Sequence, residues 1–205
     1  MKNAETPVMK LLIYGAMSSL GGALMAEFLR RQHEVIVILD DLNALAPRPG
    51  LRTKTGGLGD AEQVLQSVAG CSAVLCLLGA VAPNDPQAQL QITQALVGGL
   101  QRANIRRLIL IGDFAVLDSA GPDQAEQLRK AEQIVDLLQR SPLHWTLVNA
   151  PHSVAGLTIE HFHPISDSLE PGVKESVRTL AGVAAGIADE LSLNLHLGEH
   201  INFVS

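Results

Sequence analysis

The stretch with the clearest chemical purpose is residues 10–22, KLLIYGAMSSLGG. A short apolar run, 11–14, leads into Gly15, and a helix is expected to open at Ser18 or Ser19. A strand, a tight glycine turn and a helix start, in that order, make a cradle for a dinucleotide's pyrophosphate. The first glycine permits the turn, and free N–H groups with the positive end of the helix dipole face the phosphates. The spacing here is Gly15-x-x-Ser18-x-x-Gly21, so serine stands at the middle position, where the backbone normally comes closest to the phosphates. Two other chemistries fail at the same place. Ser18 has Ala16 and Leu20 two residues to either side, not the glycines of a G-x-S-x-G nucleophile turn. No lysine follows the glycines, as nucleoside triphosphate hydrolysis would require.

Histidines form the second cluster of interest. His161 and His163 could present two imidazoles on one side of an extended segment, with His152 near in sequence. A metal centre needs further ligands at fixed spacing, for which Glu160 and Asp167 are the candidates, and no metal is expected. His152 and Ser153 fit better as groups facing a substrate, because the segment after the sixth strand of this architecture covers the reactive end of the site. His196 and His200 read as surface residues near the C-terminus.

The elements that must hold these residues follow from hydrophobic pattern and punctuation. After a helix over 19–31 comes a β-branched run, 33–39, of the kind that is buried on both faces of a parallel sheet. A weak strand is read at 51–55. Asp60 then caps a helix to about 69, with Gln63 three residues on, close to a capping box. A buried strand over 72–78 closes at Gly79-Ala80. Asn84-Asp85-Pro86 starts a helix ending near 104. Gly98-Gly99 inside it costs helix stability, so close packing on the sheet is expected there. A strand at 107–111, a helix at 123–140 and a strand at 144–149 follow. Residues 150–175 read as a loop-rich segment on the substrate side. A last helix is read at 176–191 and a last short strand at 200–204.

Strand and helix alternate at least five times with short connections. The fold class read from this is α/β, a doubly wound, mostly parallel sheet with helices on both faces, Rossmann-like. A chain of 205 residues with 47% hydrophobic content buries a full core, and no linker or repeat divides it, so residues 1–205 are read as one domain, with 1–9 a flexible lead-in. The net charge of −6 argues against nucleic acid or an anionic membrane as partner. Aromatic residues at 3% leave little for stacking bases. No apolar run reaches the ~18 residues of a membrane span. The N-terminus lacks a signal-peptide layout, and a cytoplasmic location is expected. Cys71 and Cys76, if both lie on one strand, stand roughly 16 Å apart, beyond the reach of a disulfide.

Several of these stretches resemble atypical short-chain dehydrogenase/reductases that carry an NAD(P)-binding Rossmann domain. GAMSSLGG is similar to their glycine turn. GCSAVLCLLGA and NIRRLILIG are similar to their fourth and fifth strands. LRKAEQIVDLLQRSPLHWTLVNAP, with Lys130, Trp145 and Thr146, resembles their next helix and strand, and RTLAGVAAGIADEL their late helix. The resemblance covers about residues 10–191. It is to the compact branch of NADH-flavin reductase-like, biliverdin-reductase-like and NmrA-like proteins.

By position, the resemblance implies that Gly15, Met17, Ser18, Ser19, Leu20 and Gly21 form the pyrophosphate turn. Leu78, Gly79 and Ala80 would lie along the adenosine, and Gly112 near the nicotinamide. Asp113 beside it joins His152 and Ser153 as a candidate catalytic group, and Lys130 could touch a ribose. Asp40 stands where relatives often have an arginine for the 2′-phosphate of NADP. A carboxylate there favours NAD(H) over NADP(H), by accepting from free ribose hydroxyls.

The departures also carry meaning. Gly57 falls where many relatives have an aspartate near the adenine. Ala150 takes the place of the family's proline, with Pro151 one residue late. Glu126 stands four residues before Lys130, where a tyrosine would complete a proton relay, and the sole tyrosine is Tyr14. What the resemblance implies is an NADH-dependent reductase that passes hydride to a flavin- or quinone-like acceptor without that relay. The alternative is a non-catalytic NAD(H)-binding sensor or scaffold. The small-molecule substrate is not identified, and a homodimer or another protein partner is left open.

Overall fold

The computed structural model describes residues 7–118, 121, 124–150, 156–162 and 171–203. Its centre is a seven-stranded sheet, every strand parallel to its neighbours: β1 (Lys10–Tyr14), β2 (Glu34–Ile38), β3 (Leu51–Lys54), β4 (Ala73–Leu77), β5 (Arg107–Gly112), β6 (His144–Asn149) and β7 (Glu199–Asn202). They stand in the order β3-β2-β1-β4-β5-β6-β7. The expected "mostly parallel" sheet is thus wholly parallel among the described residues. The weakly signalled strand at 51 is real, an edge strand whose residues alternate between half-buried and exposed.

Six helices connect the strands: α1 (Ser19–Arg30), α2 (Ala61–Val68), α3 (Leu78–Val81), α4 (Pro86–Arg102), α5 (Ala125–Gln139) and α6 (Pro171–Leu193). Side chains alternate across each strand, so the sheet has two apolar faces. On one, Leu11, Ile13, Val35, Leu75 and Ile109 pack against Leu24 and Phe28 of α1 and Leu180 and Ile187 of α6. On the other, Leu12, Val74, Leu108, Trp145 and Leu147 meet Val64, Leu96, Leu100 and Ile134 of α2, α4 and α5. With both faces covered, the interior strands can be the continuous apolar runs that the sequence shows.

Three local differences from the sequence reading have physical causes. Gly79 and Ala80 do not simply close β4. They lie in the one-turn helix α3, closed by the Ala82 amide donating to the Leu78 carbonyl at 2.9 Å. Gly98 and Gly99 pack on a helix and not on the sheet. A Cβ at 98 would stand 3.0 Å from Ala61 Cβ, and one at 99 only 2.6 Å from Val64 Cβ, so the pair lets α4 approach α2. His200 is largely buried, its ring edge-on to Phe114 and its Nδ1 3.8 Å from Asp118 Oδ1. β7 joins the sheet beside β6 and carries His200 inward, which removes it from the surface.

Two charge networks fasten the helices. Glu27 of α1 accepts from Arg30 and Arg31, and Arg31 bridges to Asp189 of α6 at 2.7 Å. At the foot of the sheet Arg107 donates to Thr146 Oγ1 at 2.9 Å and to Glu190 Oε1 at 2.9 Å. Glu190 Oε2 meets His196 Nδ1 at 2.8 Å. Both Arg107 and Glu190 are buried, so this pair locks the end of α6 to β5 and β6. His196 therefore belongs to an interior network, although its ring is partly exposed.

Candidate functional site

The strand order reverses between β1 and β4. The loops that leave their C-terminal ends run to opposite faces and open a crevice, where ligands of such sheets bind. A cavity of about 350 Å³ lies there, lined by Tyr14, Gly15, Ala16, Met17 and Ser18 at and after the end of β1, Ile38, Leu39 and Asp40 at and after the end of β2, Gly56, Gly57 and Leu58 after β3, and Ala80 and Val81 on α3. Three successive loops thus converge on one opening, and among the described residues Asp40 is the single charged side chain in its lining.

The turn itself is built from the residues singled out in the sequence. Gly15 has φ +81°, a region that disfavours a side chain. A Cβ there would also stand 3.0 Å from Ala80 Cβ and 3.0 Å from Leu77 Cβ. Gly21 is equally constrained, since its Cβ would sit 2.6 Å from the carbonyl oxygens of Gly15 and Ala16. That contact is what allows α1 to start directly on the turn.

Ser18 is the N-cap of α1. Its hydroxyl accepts from the Gly21 amide at 3.1 Å and donates to the Gly15 carbonyl at 2.9 Å. Both halves of the hydroxyl are spent inside the turn, so the side chain braces the cradle. The amides of Met17 and Leu20 have no acceptor among the described residues and remain available, next to the positive end of α1. These observations fit a bound dinucleotide: a glycine cradle a Cβ would fill, available amides at a helix start, and a carboxylate after β2.

The remaining expected residues divide by place. Gly15, Met17, Ser18, Asp40 and Ala80 line the cavity. Ser19, Leu20 and Gly21 form the buried first turn of α1, and Leu78 is buried in the core. Gly79 lines a second cleft, of about 300 Å³, with Asn84, Gln89, Asp113 and Gln127. Gly112 ends β5 beneath Phe114, in register with Asn149 of β6. Lys130 sits half-buried on α5 and lines neither opening, whereas Gln127, three residues earlier, does. His152, Ser153, Pro151, His163 and Asp167 lie outside the described residues. His161 is engaged locally, its Nδ1 accepting from the Thr158 amide at 3.0 Å.

Tyr14 points away from any proton-relay position. It is packed on the α2/α4 face, and its hydroxyl lies close to Ser67 without a hydrogen bond in good geometry. Burial, opposed in part by the Ser67 hydroxyl, pushes the phenol up to about 12. Both cysteines are free, and burial pushes each thiol up. Asp60 is the cap of α2, accepting from the Glu62 and Gln63 amides at 2.9 Å. The cavity residues not expected from the sequence are Tyr14, Ala16, Ile38, Leu39, Gly56, Leu58 and Val81. Their signal was positional: each lies at or just after the C-terminal end of a strand of the sheet.

Comparison with known proteins agrees with this geometry. No curated protein matches the chain in sequence. Among solved structures, a candidate exported protein from Burkholderia pseudomallei superposes with a TM-score of 0.69 at 17% identity, over 95% of this chain and 98% of that one. A candidate NADH-flavin reductase from Streptococcus pneumoniae gives 0.64 at 21% identity, over 95% and 98%. A short-chain dehydrogenase/reductase from Veillonella parvula in complex with NADP gives 0.62 at 16% identity, over 96% and 94%. At these identities the likeness is one of fold. The sequence profile described as NAD(P)H-binding matches residues 15–192, from the glycine turn to the end of α6. The chain therefore belongs to the NAD(P)H-binding family.

Proposed function

We propose that this protein binds NAD(H) in preference to NADP(H) and acts as an NADH-dependent reductase of a flavin- or quinone-like acceptor. The observation that carries the reading is the cavity at the β1/β4 crossover, with the Gly15–Ser18 turn on one side and Asp40 as its sole charged lining group among the described residues. Asp40 accepts hydrogen bonds from the free ribose hydroxyls and repels a 2′-phosphate. The basic side chain of the 39–50 loop, Arg48, is paired with Glu160 and does not line the cavity, which supports the same preference. The Met17 and Leu20 amides hold the phosphates.

When bound, the dihydronicotinamide supplies a hydride donor. The protein's contribution is then positional. Gly15 keeps the phosphate path open, and the polar cleft of Asn84, Gln89, Asp113 and Gln127 beside Gly79 seats the acceptor. One hydride and one solvent proton convert a flavin or quinone to its dihydro form, so no protein acid is required. That agrees with a site whose nearest phenol, Tyr14, is sealed by burial. The description of the Streptococcus pneumoniae neighbour as a candidate NADH-flavin reductase supports this choice of acceptor. The buried free thiols suit a cytoplasmic setting.

The test is NADH oxidation by the purified protein with flavin mononucleotide, riboflavin and a short-chain quinone. Turnover that depends on the added acceptor supports the reading. NADH binding without oxidation across that panel would replace it with the non-catalytic sensor, which the missing tyrosine favours.

A further inference from the structure

The phosphates at the Gly15 turn and the ribose at Asp40 leave the far end of the same cavity for the base. That end is lined by Ile38, Gly56, Gly57, Leu58 and Val81, none of which has a side-chain hydrogen-bonding group. The polar groups behind this wall are already committed or closed off. Ser67 Oγ lies under Gly56 and donates to the Gln63 carbonyl at 2.8 Å. The Tyr14 hydroxyl is buried out of contact with solvent. Gln63, from the first turn of α2, folds back over the loop, and its Oε1 accepts from the Gly59 amide at 3.2 Å. The same oxygen stands 2.1 Å from where a Cβ on Gly57 would be, with Cδ at 3.0 Å. The Gln63 carboxamide thus occupies the space beside Gly57 and holds the 56–59 loop in place.

We infer that the base end of the cavity reads a purine by shape and apolar contact and not by its 6-amino group, because glycine at position 57 places no acceptor side chain there. The inference rests on the dinucleotide reading above. Its consequence is chemical: a dinucleotide whose adenine is replaced by hypoxanthine, with a carbonyl in place of the amino group, binds as well as NADH. A site that did accept from the amino group would be left with an unpaired buried acceptor and would reject that analogue.

The probes are NADH and reduced nicotinamide hypoxanthine dinucleotide, which share the fluorescent dihydronicotinamide and can be titrated identically. For the unmodified protein the two dissociation constants should agree within about threefold, because the group exchanged makes no side-chain hydrogen bond. A preference for NADH of roughly tenfold or more would overturn the inference while leaving the dinucleotide reading intact. Binding of neither would overturn both. The role of position 57 is tested by combining Gly57→Asp with Gln63→Ala, which clears the space for the new side chain. With Oε1 and Cδ gone, the remaining contact at 57 is Gln63 Cβ at 3.6 Å, which is ordinary packing. That variant should gain a preference for NADH of about tenfold. If it binds NADH yet discriminates no better than the parent, the lack of an acceptor at 57 is not what sets the base preference.

Discussion

Ser18 Oγ accepts a hydrogen bond from the Gly21 amide at 3.1 Å, across the turn that a dinucleotide's phosphates would occupy. The serine is therefore a helix cap that replaces the freedom of a glycine with a brace, its hydroxyl engaged with the Gly15 carbonyl and the Gly21 amide. Ser18→Ala should lower stability by about 1 kcal/mol through loss of the cap, and Ser18→Gly by less. NADH affinity of the folded Ser18→Gly protein should stay within roughly threefold of the parent, since the Met17 and Leu20 amides are untouched. Thermal denaturation and NADH titration check both. Tenfold tighter binding by the glycine variant would show that Ser18 obstructs the site.

On the proposed reading, Asp40 decides between the two nicotinamide dinucleotides. Replacing it with serine removes the charge that repels a 2′-phosphate and weakens the hold on the ribose hydroxyls. The ratio of NADPH to NADH dissociation constants should fall by about tenfold or more, corresponding to roughly 1.4 kcal/mol. Parallel titrations of the two dinucleotides measure it, and an unchanged ratio would remove Asp40 from the site.

His33 makes stability depend on pH. The ring is buried, its Nδ1 accepts from the Met9 amide at 3.2 Å, and its Nε2 has no partner. Protonation would set two donors against each other at Nδ1, and burial, aided by Arg31, holds the folded-state pKa below the usual value. The unfolded chain then binds the proton more readily, so stability rises with pH in this window. It should be full above about pH 6.5 and be lost progressively as pH falls below that value, toward the depressed folded-state pKa. Urea denaturation from pH 7.5 to 5 should show the slope, and His33→Leu should flatten it.

The Arg107–Glu190 pair is structural. Glu190→Ala leaves a buried guanidinium without its carboxylate and should cost about 3–5 kcal/mol. NADH affinity of the fraction that folds should not change, because the pair lies at the opposite end of the strands from the cavity. A large loss of affinity at unchanged stability would contradict that assignment.

The fold was legible in the sequence because its strands are buried on both faces. Runs such as Val35–Val37 and Val74–Leu77 are apolar without alternation, and the caps Asp60 and Asp85 mark where helices begin. What sequence could not show was which helix a small residue meets. Gly98-Gly99 signals close approach, but only the packed structure makes α2 the partner. In the site, the turn and Asp40 could be read because each is a residue type at a fixed distance from a strand end. The base pocket could not. Gly56 and Leu58 carry no chemistry of their own, and Gln63 matters through a side chain folded back across four residues. His200 looked exposed because it sits near the chain end, yet β7 draws it in, whereas His196 stays partly exposed while its Nδ1 meets Glu190.

The central claim is that a nicotinamide dinucleotide binds at the Gly15 turn, and titration of NADH fluorescence against the parent protein and Gly15→Ala tests it most directly. The alanine would force a Cβ to 3.0 Å from both Ala80 and Leu77 at a positive φ. Saturable binding by the parent, weakened about tenfold or more in a Gly15→Ala protein whose circular dichroism shows it still folded, is the predicted result. Equal affinity in the two proteins, or no binding by the parent, would contradict it.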